Sequence, residues 1–134
     1  MRSPDYLAAV GIGVSDLARS ADFYERVLGM KRTQTFSLDH MDEIVLAHEG
    51  RNAVVLMHWK DGSTRNYRDN PIKLVFQVVD AARLIEAIRV DGQAITMEPA
   101  AYPGMGGAII GMGLDPDGYV IELIQAPAEA TVPA

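Results

Sequence analysis

A chain of 134 residues, 49% of them apolar and none of them cysteine, is long enough for one domain with a real core. The missing cysteine excludes a disulfide framework, thiolate metal sites and a cysteine nucleophile. A formal net charge of −6, with no stripe of Lys and Arg, argues against nucleic acid as a partner, and no apolar run approaches the roughly 20 residues a spanning helix needs. Since "MRSPDYLAAV" lacks a signal core, the expectation is a cytoplasmic protein without membrane contact.

In chain order, the apolar strand "LAAVGIGV" leads into "VSDLARSADFYERVLGM". Ser15, Asp16 or Ser20 can cap a helix there; Leu17, Phe23, Tyr24, Val27 and Leu28 supply its apolar stripe, and Gly29 its terminator. Three strand-like runs follow, "KRTQTFSL", "DEIVLAHE" and "NAVVLMHW". The polar stretch "KDGSTRNYRDNP" reads as a linker. The pattern then recurs. The strand "KLVFQVV" leads to a helix capped by Asp80, striped by Leu84, Ile85 and Ile88 and ended by Gly92, and then to "QAITME", "AIIGMGL" and "GYVIELIQ". Val14 matches Val79 (79 − 14 = 65) and Leu56 matches Glu122 (122 − 56 = 66). The expected fold class is therefore α+β, two tandem βαβββ modules, in a single domain over 1–134. Module one covers 5–60, the linker 61–71, module two 72–126 and a loose tail 127–134.

Two segments, "VSDLARSADFYERVLGM" near the start and "DPDGYVIELIQ" near the end, carry a resemblance to the vicinal oxygen chelate superfamily, which includes glyoxalase I, bleomycin-resistance proteins and ring-cleaving dioxygenases. The resemblance covers nearly the whole chain and implies a mixed sheet curled into a cup, with members commonly forming homodimers. Metal-dependent members draw His, Glu or Gln ligands from the first and last strands of each module. Carried over, those positions are Ala9, Leu56, Leu74 and Glu122, and only the last has a lone pair to give. The resulting expectation is no cofactor, with a divalent ion on Glu122 as the minor alternative.

Strand alternation fills in the rest of the expected cup. Ala9, Gly11 and Gly13 face inward and leave room for a ligand, while Leu74, Phe76 and Val78 form an apolar wall. The hairpin at "DPDG" sets Gly111 opposite Glu122, and the hairpin at "EGRN" sets Glu43 opposite His58. Glu122, among apolar neighbours, reads either as a general acid or base, with His58 or Tyr102 assisting, or as a residue that only orients a ligand or is a family relic. His58 reads slightly better as a structural histidine near the end of its strand. Trp59 is a candidate for stacking on an aromatic ligand, and Tyr102 and Met105 sit in a glycine-rich loop with the makings of a lid. The function expected is metal-independent isomerase or lyase chemistry on a small apolar or aromatic carbonyl compound. A non-catalytic antibiotic- or metabolite-binding protein is the alternative, and a metal-dependent glyoxalase I (lactoylglutathione lyase) the less favoured third.

Overall fold

A computed structural model describes residues 5–128. Its chain divides into two compact units, Met1–Asn70 and Pro71–Ala134. Each is a four-stranded mixed sheet carrying one helix, so the architecture is α+β with two βαβββ units in tandem. Most of the tail expected at 127–134 lies outside the described residues.

In the first unit β1 (Val10–Gly13) leads into α1 (Leu17–Asp22), followed by β2 (Lys31–Ser37), β3 (Met41–His48) and β4 (Arg51–Trp59). The sheet order is β1-β4-β3-β2, with β1 and β4 parallel and the other pairs antiparallel. Of the three candidate caps, Asp16 does the work: its Oδ1 accepts from the Arg19 amide at 3.1 Å. The helix continues as a π-helical turn, Phe23–Val27, and stops at Gly29, whose φ of 75° suits only a residue without Cβ. Phe23 and Tyr24 are fully buried and meet edge to face, with ring centroids 5.3 Å apart.

The second unit repeats the order with β5 (Lys73–Val78), α2 (Ala81–Val90), β6 (Ile95–Tyr102), β7 (Ala108–Leu114) and β8 (Val120–Gln125). Asp80 caps α2 through the Arg83 amide at 3.0 Å, and Gly92 ends it at φ 92°. The caps lie 64 residues apart (80 − 16) but the terminators only 63 (92 − 29). Module one therefore holds one more residue between cap and terminator, and the π-helical turn is where it is absorbed.

Strand β6 runs four residues past "QAITME". Its ladder with β7 slips between Met97 and Ala100, around Pro99, and because β6 is an edge strand the missing proline N–H breaks no essential bond. The glycine-rich segment beyond it is a tight hairpin tip. Tyr102 pairs with Ala108, and the Gly107 and Gly106 amides donate to the Tyr102 and Pro103 carbonyls at 3.0 and 3.2 Å.

Candidate functional site

Which face each strand turns to its helix decides what can form a site. In the second unit, a Cβ on Gly111 would lie 2.9 Å from Ile85 Cγ1, and one on Gly113 would lie 3.0 Å from Ile88 Cγ2. Both glycines therefore point at α2. Their β8 partners are Leu123 and Ile121, each fully buried, and the Gln125 side chain accepts from the Ala81 amide at the start of α2. Glu122 points the other way, paired with Met112 on β7 and with Val75 on β5.

This corrects two expectations. Gly111 is not opposite Glu122; Met112 is. Leu74 and Phe76 do not share Glu122's face, because they pair with Ile121 and Leu123. Residues alternate along a strand, so Lys73, Val75 and Gln77 are the ones beside the carboxylate. Glu122 is 7% exposed, with Val120 and Ile124 on its own strand and face. Its Oε1 accepts a hydrogen bond from Lys73 Nζ at 2.9 Å. A buried carboxylate needs such a partner, since removing its water without compensation costs several kcal/mol, on the order of 2–7 even for a neutral polar group. Lys73 was missed because β5 was read one residue out of phase; its position at the strand's first residue was the available signal.

Tyr102 also falls on Glu122's side of the sheet, since its partner Ala108 shares a face with Met112. The two positions on β7 are four residues apart (112 − 108), about 14 Å at ~3.4 Å per residue. That is too far for the phenol to share a proton with the carboxylate directly. Met105, 54% exposed, sits at the hairpin tip.

In the first unit, Leu56 is fully buried and pairs with Ile12 and Ile44, and Ile44 lines a cleft with Leu17 and Ala18 of α1. Leu56 therefore faces the helix, not the side on which Gly11 and Gly13 lie. His58 follows Leu56's parity. It is opposite Asp42, whereas Glu43 is opposite Met57, so the expected Glu43–His58 pair does not form. The His58 Nδ1 lies 2.9 Å from the Val14 carbonyl oxygen. A carbonyl only accepts, so Nδ1 carries the proton. The ring also stacks on Tyr67 at 5.7 Å, which is the setting of a structural histidine.

The floor expected over Ala9, Gly11 and Gly13 is occupied. Met57 Sδ and Cε would lie 3.0 Å from a Cβ on Gly11, and the Tyr67 ring would lie 3.2 Å from one on Gly13. Ala9 is half-buried just before β1. Trp59 has the Arg65 guanidinium 4.5 Å over its ring, and its amide donates to the Tyr67 hydroxyl at 3.2 Å. The linker thus folds back on the end of the first sheet instead of trailing away from it. Nearby, Lys60 Nζ and Ser37 Oγ each donate to Asp42 Oδ1 at 2.8 Å. The Lys60 hydrogen bond, followed by that of Ser37, holds the Asp42 carboxyl below the usual range.

Comparison with known proteins places these features. Residues 6–123 match the family model of the Glyoxalase/Bleomycin resistance protein/Dioxygenase superfamily. The chain is 37% identical over 119 residues to a lactoylglutathione lyase of Salmonella typhimurium, covering 84% of this chain and 87% of that one. It is 33% identical over 117 residues to a lactoylglutathione lyase of Arabidopsis thaliana, covering 84% of this chain and only 41% of the longer plant protein. Among solved structures, glyoxalase I from Zea mays superposes with a TM-score of 0.77 at 26% identity, over 89% of this chain and 44% of that one. An antibiotic-binding protein from a Streptomyces species shares the fold, with a TM-score of 0.72 at 22% identity, over 95% of this chain and all of that one.

The relatives overturn one expectation. Glyoxalase I enzymes depend on zinc or nickel, so the reading of this chain as needing no cofactor does not stand. The residues at the carried-over positions nevertheless fit such an ion poorly. Ala9, Leu56 and Leu74 offer no donor, Glu122 already binds an ammonium, and no three His, Cys, Asp or Glu among the described residues cluster as a metal site. Among the described residues no helix is long and apolar enough to cross a membrane. With residues 6–123 matching the family model and the two βαβββ units in place, the chain belongs to the Glyoxalase/Bleomycin resistance protein/Dioxygenase superfamily.

Proposed function

We propose that the chain is a lyase or isomerase that moves a proton on a small carbonyl compound with an apolar or aromatic body, and that Glu122 is the group that moves it. The carboxylate takes the proton from a hydroxyl-bearing carbon beside the carbonyl and returns it to the former carbonyl carbon. The hydroxyl proton passes to the former carbonyl oxygen, so that carbonyl and hydroxyl exchange places. One observation carries this reading: a carboxylate 7% exposed on the sheet face turned away from α2, set among Val75, Met112, Val120 and Ile124. His58 and Tyr102 take no part in that step. The names of the relatives supply the first compound to try, S-lactoylglutathione. The test compares wild type with Glu122→Gln, with zinc or nickel supplied. Turnover should fall on the order of 10²-fold or more while substrate still binds. A variant that keeps its turnover would remove Glu122 from the chemistry.

A second reading has its own support. An antibiotic-binding protein shares the fold, and under this reading Glu122's face of the second sheet holds a metabolite or antibiotic without converting it. Under that reading, wild type binds carbonyl compounds stoichiometrically and releases them unchanged. A homodimer in the cytoplasm belongs to either reading, and a monomeric mass in solution would count against the dimer.

A further inference from the structure

We infer that Lys73 is the oxygen-binding residue of this face, and that the ligand it selects carries an anionic oxygen, such as a carboxylate or the enolate of a carbonyl compound, on an apolar body. The inference rests on the reading that Glu122's face of the second sheet is the working surface. Three observations support it. The Lys73 ammonium carries three N–H donors, and the hydrogen bond to Glu122 Oε1 at 2.9 Å uses one. Its side chain is 48% exposed, against 9% for that of Glu122, so the remaining donors are the accessible end of the pair. Beside them lies apolar surface without an evident packing role: Val75, the neighbour of Glu122 on β5, is 53% exposed, and Met112 is half-buried on the opposite strand.

An oxygen accepting from Lys73 Nζ would stand within a few ångströms of the carboxylate. The C–H next to a carbonyl lies at about that distance from the carbonyl oxygen, so one ligand can meet both groups. When Glu122 takes the proton, the C–H pair becomes the new C=C bond and the carbonyl π pair moves to oxygen. The negative charge then develops next to the ammonium, where a charge-assisted hydrogen bond is strongest. Where the carbon that lost its hydrogen carries a hydroxyl, that hydroxyl's proton passes to the enolate oxygen and Glu122 returns its own proton to the former carbonyl carbon. This leaves the carbonyl on the neighbouring carbon and restores the carboxylate. Lys73 therefore answers both the question of substrate class and the question of what stabilises the charge formed in the step.

Benzoate is the probe, because it joins an anionic oxygen pair to a flat apolar body. Its binding is followed through the amide resonances of Val75, Met112 and Glu122 in the whole chain. Lys73→Met should weaken binding by at least roughly tenfold, whereas Lys73→Arg should stay within about threefold. Glu122→Gln should tighten it, since a like charge is removed. Lys73→Met on its own strands the Glu122 charge and can lower stability, so the double variant Lys73→Met/Glu122→Gln, in which no charge is stranded, must show the same loss relative to Glu122→Gln. Equal binding by Glu122→Gln and that double variant, or shifts confined to other residues, would overturn the inference. The outcome is separable from that for the proposed reaction. If benzoate needs Lys73 while Glu122→Gln still turns substrate over, the reaction is wrong and the oxygen site stands. If Glu122→Gln is inactive while benzoate ignores Lys73, the reverse holds.

Discussion

Substituting Gly111 by alanine separates two descriptions of the second sheet. If Gly111 faced Glu122, the new methyl would crowd the carboxylate and disturb ligand binding while leaving the core alone. In the structure it enters the core instead: the Cβ would lie 2.9 Å from Ile85 Cγ1, 3.2 Å from Ile85 Cδ1 and 3.2 Å from Pro99 Cγ. Ile85 is 1% exposed and cannot swing into solvent. Overpacking of this kind costs about 1–3 kcal/mol. The reduced freedom of the unfolded chain gives back about 0.4–1 kcal/mol, because Gly111 is not among the residues at positive φ. The net expectation is a loss of ~1–2 kcal/mol. For a chain of 134 residues that corresponds to a Tm drop of about 4–7 °C. Urea denaturation of Gly111→Ala, Ile85→Ala and the double variant supplies the cycle. Ile85→Ala alone should cost about 2–5 kcal/mol, and the double variant should lose at least ~1 kcal/mol less than the sum, because the alanine methyl moves into the space vacated. Additive losses, or a full-strength Tm with altered ligand binding, would show that Gly111 does not face α2 and would return Leu74 to Glu122's side.

Further expectations concern other parts of the chain. Asp16→Ala and Asp80→Ala should each cost about 0.5–2 kcal/mol by chemical denaturation, and serine at either position should recover most of it, because both side chains accept from an amide three residues on. Tyr67→Ala should speed amide exchange across residues 61–70 and open that segment to protease, since the Tyr67 ring and hydroxyl tie it to Gly13, His58 and Trp59. The depressed Asp42 carboxyl gives a pH dependence of defined sign. A carboxyl whose folded value lies below its unfolded one adds stability that is present in full above the unfolded value and is lost as pH falls through the folded one. In Lys60→Met, NMR titration should find the Asp42 carboxyl moved back up toward the ordinary aspartate range, and an unmoved titration would mean that the Lys60 contact does not form in solution.

The features legible from sequence were those fixed by local chemistry. Each helix start needs a side-chain acceptor and each helix end a residue tolerant of positive φ, and Asp80, Gly29 and Gly92 announce these positions one residue at a time. Apolar alternation marked the strands, and the order of elements then matched two βαβββ units. Strand facing was not legible to the same depth, for a reason that can be located. Facing depends on the parity of a residue count, and the two units differ by one residue between helix cap and terminator, 13 positions (29 − 16) against 12 (92 − 80). Matching Leu56 to Glu122 at 66 carried that irregularity into β4, where Leu56 turns to α1 while Glu122 turns away from α2. A separate one-residue slip ahead of the helix, an offset of 65 between the first strands where the caps give 64, nominated Leu74 in place of Lys73 at β5.

A one-residue slip has chemical consequences here because neighbouring positions differ so much. Leu74 would have left Glu122 as a lone charge among apolar groups, whereas Lys73 makes it half of an ion pair with one end in water. The partner also governs what else can approach. A divalent cation bound at Oε1 would have to displace the ammonium or lie against it, and two unit charges 4 Å apart already repel by about 4 kcal/mol at an effective dielectric of 20. Relatives with glyoxalase I activity require zinc or nickel, so an ion held at this carboxylate would have to expel Lys73 first. Lys73→Met should then raise the affinity of Glu122 for added nickel, read by isothermal titration, and Lys73→Arg should not. An affinity unchanged by Lys73→Met would mean that the ammonium is no obstacle and that Glu122 is not where nickel binds.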